Sequence, residues 1–162
     1  MKNNIALNKL DCQLKYFLTS FLIMMSIGIF TGLYYVYLTT NIEKEGIVER
    51  FNGSQPEDPQ KFEVEKPLES MILTTHNHVL NFSMITLLVG IIFYFNSTIS
   101  GKLRLFLLIE PFFSTLLTFS SLWIMRYLNE GFVYLVIISA IVMYICWYVM
   151  IMVCLYELMV KK

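Results

Sequence analysis

The 162-residue chain has two histidines, His76 and His78, both in the stretch TTHNHVLNF, and no acidic or basic residue follows them until Lys102. Neutral imidazole is the commonest protein metal ligand, and a haem iron can take one as its axial base. Imidazoles at the mouth of an apolar run therefore suggest ligation where water meets lipid. On a helix, residues two apart diverge by about 200°, whereas an extended or capping segment would turn both rings to one face. The plainer alternative is a pair of interfacial histidines, one bonded within a bundle and one facing water. Their company is polar: Asn77 and Asn81 are four apart, Met71 lies just upstream, and Arg126 returns to the same layer at the end of a later apolar run.

Two chemistries fit that layer. In the first, His78 turns inward with Asn81 at i+3 and holds a haem b, His76 sits at the capping boundary, Arg126 pairs with a propionate, and Trp123 walls the porphyrin. A bis-histidine haem needs ligands on different helices, so the sixth position would be open, Met, Tyr, or a histidine of a second copy. In the second, His76, His78 and Met71 form a copper or zinc site. The ten methionines are spread along the chain and read mostly as core filler. Cys12, Cys146 and Cys154 show no C-x-x-C spacing, and the two in the last apolar run read as buried thiols.

Glu110, followed by Pro111, is the clearest intramembrane ionisable residue. Desolvation makes a bare carboxylate there costly, so a neutral or partnered carboxyl is expected. Ser114, Thr118 and Ser121 continue from it along one helical stripe. That stripe is read either as helix packing by small hydroxyl residues or as the lining of a proton route or quinone head-group pocket.

The elements that must position these groups follow from composition. With 57% apolar and 15% charged residues, the chain is far from the roughly 25% charge of a soluble domain. Its net charge is zero and it has no continuous cationic surface, which sets nucleic-acid binding aside. Four apolar runs, about 16–40, 76–96, 103–127 and 132–158, are each long enough to cross a hydrocarbon core of about 30 Å. The expected fold is all-α, an integral-membrane up-down four-helix bundle forming one transmembrane domain over 1–162. Residues 41–75 are expected as an outer, acidic loop, with at most a short strand or extended leg in KFEVEK, and Phe51 and Phe62 as lipid anchors. Thr74 and Thr75 would cap the second span. Gly28 and Gly32 form a G-x-x-x-G pair that permits close helix approach.

Lysine and arginine bias sets the orientation. Lys2, Lys9, Lys15, Lys102, Arg104, Lys161 and Lys162 fall on one side, against Lys44, Arg50, Lys61, Lys66 and Arg126 on the other. Both termini are expected in the cytoplasm. The stretches LTTHNHVLNFSMITLLVGIIFYF and LRLFLLIEPFFSTLLTF resemble those of small bacterial four-span membrane proteins. That resemblance covers most of the chain and implies a bacterial inner-membrane location and this fold, but no reaction. There is a weaker similarity to four-helix membrane cytochromes b, whose paired histidines on separate helices this chain lacks.

These readings converge on a small membrane haem b or metal-binding protein, an electron-transfer or sensory subunit of a respiratory assembly. Its expected partners are the lipid bilayer and a second copy or a larger membrane complex. The competing expectations are a non-enzymatic structural or assembly subunit and a proton-coupled carrier using Glu110. Hydrolysis is disfavoured, since neither H-E-x-x-H nor G-x-S-x-G occurs.

Overall fold

The computed structural model describes residues 6–54 and 63–161. Four long helices carry the fold: α1 (Cys12–Thr40), α3 (Leu68–Tyr94), α4 (Gly101–Tyr127) and α5 (Val133–Met159), with a short α2 (Lys44–Asn52) between the first two. All four long helices are apolar enough to cross a membrane. At 1.5 Å per residue, each is about 40 Å long and overhangs the hydrocarbon core. The protein is an all-α integral-membrane bundle, as its composition predicts.

Helix α4 packs most extensively against α5; α3 lies against both, and α1 leans on α5. One core cluster joins all four long helices through residues such as Leu22, Val89, Leu107 and Trp147. A second, around Met71, Phe119, Leu122 and Met125, lies where α2 closes over the bundle through Ile47. Gly90 brings α3 close to α4, where a Cβ would stand 3.3 Å from Leu108 Cδ2.

The two ends of the bundle differ. At one, the Leu7 N–H donates to the Phe95 carbonyl (3.2 Å), and Lys161 reaches Ser97 and Thr98. This terminal end therefore gathers the described N- and C-terminal segments and the α3–α4 turn. At the other, the loop end, α2 and the chain after it cover the bundle. Asn52 donates to Glu130 at the α4–α5 turn (3.2 Å).

The loop end departs from the sequence expectation in two ways. Helix α3 begins at Leu68, eight residues before His76, so Thr74, Thr75 and both histidines lie inside the helix and not at its cap. Pro67 is the N-cap residue and Glu69 occupies the first turn, where an acidic side chain complements the helix dipole. Nothing requires a spanning helix to stop where lipid stops. Residues 44–52, expected as irregular loop, form α2, with Glu45 near its start and Arg50 near its end. Gly46 permits this, because a Cβ there would collide with the Thr40 carbonyl. The connection passes through Asn41 (φ 51°) and Ile42 (φ 58°); Asn tolerates this left-handed conformation, whereas β-branched Ile42 is strained in it.

Residues 63–67 form the extended leg expected across the bundle mouth, tied by Ser54 N–H to Glu63 O (2.9 Å) and Lys66 N–H to Phe51 O (3.0 Å). Phe51 packs against the second core cluster, with the Lys66 ammonium 4.4 Å from its ring centroid. It is therefore turned toward the bundle. Phe62 lies outside the described residues.

Candidate functional site

The α3 register decides what the two histidines can do. Because both sit within a continuous helix, their side chains project about 200° apart. His78 Nδ1 donates to the Thr74 carbonyl across 2.8 Å. Its ring lies against Phe82 (5.4 Å between centroids) and Phe119 on α4 (5.5 Å), yet the residue remains exposed. Using Nδ1 as the donor leaves Nε2 with the lone pair. His76, Asn77 and Asn81 are also exposed on α3.

The residues expected beside the histidines are engaged elsewhere. Trp123 donates its indole N–H to the Thr75 hydroxyl (2.8 Å) and lies over Tyr127. Arg126 pairs with Glu65 at 3.0 Å, and a second, longer contact runs to the Lys66 carbonyl at 3.5 Å. It thereby clamps the extended leg onto α4. Its Nε is buried without a hydrogen-bond partner. Met71 is fully buried in the second core cluster. Among the described residues, no group of three or more His, Cys, Asp or Glu is placed to hold a metal ion. The donor set is thus one oriented imidazole, His78, and a haem or metal placed there would draw its remaining ligands from outside this group. Beside the clamp, burial and then the nearby Arg50 guanidinium push the Lys66 ammonium below its ordinary pKa, opposed by Glu63.

Deeper in the bundle, Glu110, Ser114, Thr118 and Ser121 do form one stripe, turned toward α5. Ser114 donates to one Glu110 carboxyl oxygen, and the other is buried without a partner. Thr118 shares a 2.7 Å hydrogen bond with Ser139 of α5. Thr115 bonds the Pro111 carbonyl (2.7 Å) and contacts the Met143 sulfur. Ser114, Thr118, Ser121 and Ser139 are all buried. This is a polar seam between two helices, in which Thr118 and Ser139 bond each other and Ser114 bonds Glu110. A shallow groove on the outer side of α4, lined by Lys102, Phe106, Ile109, Phe113 and others, reaches Glu110 from the surface.

A further polar cluster, centred on Glu157, lies at the terminal end and was not singled out from the sequence. The Glu157 side chain is fully buried and accepts from Ser97 N–H (2.7 Å), Thr98 Oγ1 (2.5 Å) and Lys161 Nζ (3.3 Å). Asn96 orders the same turn by accepting from Ile99 N–H (2.6 Å). The i,i+4 pair Glu157–Lys161 was the visible signal; its capture of the α3–α4 turn was not.

No curated protein and no solved structure matches the chain. Residues 41–162, from the end of α1 through α5, match the family described as the Aq_1264_TM transmembrane helical domain. That match spans well over half the chain and carries both the histidine helix and the Glu110 seam, so this protein belongs to that family of small multi-span membrane proteins.

Proposed function

We propose that this chain is an assembly subunit of a membrane complex. One observation carries the reading: His76, Asn77 and Asn81 are exposed on α3, a helix long and apolar enough to cross a membrane. Polar side chains left facing hydrocarbon are costly, and in membranes they ordinarily face a bundle interior or another chain. A polar surface on a helix of another chain would supply the cover these side chains lack. A photo-crosslinker at Leu80, between these residues, tests it in native membranes. Protein adducts are expected; adducts to lipid alone would overturn the reading.

A second reading is a haem b or metal site on His78, with copper or zinc as the metal, serving electron transfer or sensing in a respiratory assembly. It is supported by the Nδ1 bond to the Thr74 carbonyl, the arrangement that fixes a ligating histidine's ring and tautomer. Visible spectroscopy and metal analysis of gently solubilised protein test it. A Soret band lost in H78A and only weakened in H76A supports haem at His78; wild-type protein with neither haem nor stoichiometric metal rejects the reading.

A further inference from the structure

We infer that the half of α4 nearest the terminal end is a binding site for an anionic phospholipid, with the phosphate on the Lys102 ammonium and an acyl chain in the groove beyond it. The inference is independent of the assembly reading. The groove is lined by Lys102, Leu105, Phe106, Ile109, Glu110 and Phe113, and its wall is almost wholly apolar. From Lys102 to Phe113 it runs about 16 Å along the helix, the depth of one leaflet in a hydrocarbon core about 30 Å thick. Ser114, the next residue, is the midpoint of α4. A helix centred in the bilayer therefore sets Phe113 at the midplane and Lys102 about 18 Å from it, just outside the hydrocarbon, where lipid phosphates lie.

An apolar groove alone would take any acyl chain, so charge selects the lipid. The described residues of the terminal end carry five cations, Lys9, Lys15, Lys102, Arg104 and Lys161, against two acids, Asp11 and Glu157. Glu157 is already paired with Lys161. The loop end has the reverse bias, with seven glutamates against four cations among its described residues. A phosphate is therefore attracted at one end of the bundle and repelled at the other. At the groove itself, the first turn of α4 holds no acidic residue. Arg104 is spent on α3, where it lies over the Tyr94 ring, 5.3 Å from its centroid. Lys102 is exposed and, among the described residues, pairs with no carboxylate. Glu110 lies about 12 Å deeper along the helix, with one carboxyl oxygen on Ser114 and the other buried. It borders the acyl chain and stands clear of the phosphate.

The test is native mass spectrometry of the full chain in mild detergent, titrated with phosphatidylglycerol or with phosphatidylcholine of the same acyl chains. Wild-type protein should retain phosphatidylglycerol about fivefold better, the worth of one cation at an anionic membrane surface. Lys102→Gln should remove most of that preference and Lys102→Arg should keep it. Ile109→Trp, which fills the groove from an exposed position, should weaken retention of both lipids. Lys44→Gln, at the loop end, should leave the preference unchanged. Equal retention of the two lipids by wild type, or an undiminished preference in K102Q, overturns the inference. Equal losses in K44Q and K102Q would also overturn it, because the attraction would then belong to the chain's overall charge and to no site on α4. Retention untouched by I109W would overturn the groove as the seat of the acyl chain.

Discussion

Trp123 on α4 donates its indole N–H to the Thr75 hydroxyl on α3 across 2.8 Å, and this bond holds the two helices together beside the exposed His78. It takes Thr75 away from any capping role and turns Trp123 to its own neighbour. Trp123→Phe keeps the ring packing and removes the donor, so it should cost about 1 kcal/mol, the ordinary net worth of such a bond. Thermal unfolding in mild detergent would measure it. A loss near that of Trp123→Ala would show that the indole position, and not the hydrogen bond, matters.

The Arg126–Glu65 clamp joins a largely buried guanidinium to a carboxylate whose side chain is 67% exposed. An exposed partner is well screened, so Glu65→Gln should change global stability by less than about 1 kcal/mol. Arg126→Ala removes both of the contacts that Arg126 makes with the leg and should raise protease cleavage of the 41–67 connection severalfold with the bundle intact. Limited proteolysis reads the difference. Equal cleavage of wild type and R126A would show that the leg is held by other contacts.

Glu110 has one oxygen on Ser114 and one buried without a partner. Glutamine is its neutral isostere, so Glu110→Gln should retain bundle stability to within about 1 kcal/mol, whereas Glu110→Lys brings a charge into the seam and should prevent stable folding. Detergent-solubilised yield and unfolding temperature report both. A large loss in E110Q would show that the seam requires the carboxylate.

At the terminal end, Glu157 gathers the α3–α4 turn and Lys161 around a fully buried side chain. Glu157→Ala leaves those donors unpaired and should cost about 3 kcal/mol, the scale of breaking a buried charged pair. Glu157→Gln, which keeps one acceptor, should cost less. Equal losses for the two variants would argue that shape, and not charge, holds the turn.

The lysine and arginine bias predicts that Lys102 and Arg104 face the cytoplasm and the acidic connection faces out. In a cysteine-free chain, Glu45→Cys on exposed α2 should label from outside intact cells and Ser100→Cys only after permeabilisation. Gly53 is the poorer label site, since it holds φ +81° and a Cβ there would stand 2.7 Å from the Glu65 nitrogen. The reverse labelling pattern would place the termini outside.

The sequence by itself determined the membrane class, the four long helices and the alignment of Glu110, Ser114, Thr118 and Ser121. Each depends on local, periodic properties: lipid demands internal backbone hydrogen bonding, and one helix's register is set by counting. It also made the extended leg over residues 63–67 legible, through the alternation in KFEVEK. The start of α3 at Leu68 was not legible, because a helix overhanging the bilayer shows no hydropathy edge at its true end. Alpha2 was hidden for a related reason: its helix rests on Ile47 docking into the second core cluster and on Gly46 meeting Thr40, both contacts between separate segments. Only tertiary structure decided the partners of Trp123, Arg126 and Glu157, since each had several candidates in sequence and packing selected one. By setting the register of α3 against α4 and α5, that packing placed His78 on Phe119 and left Asn77 on the outer face.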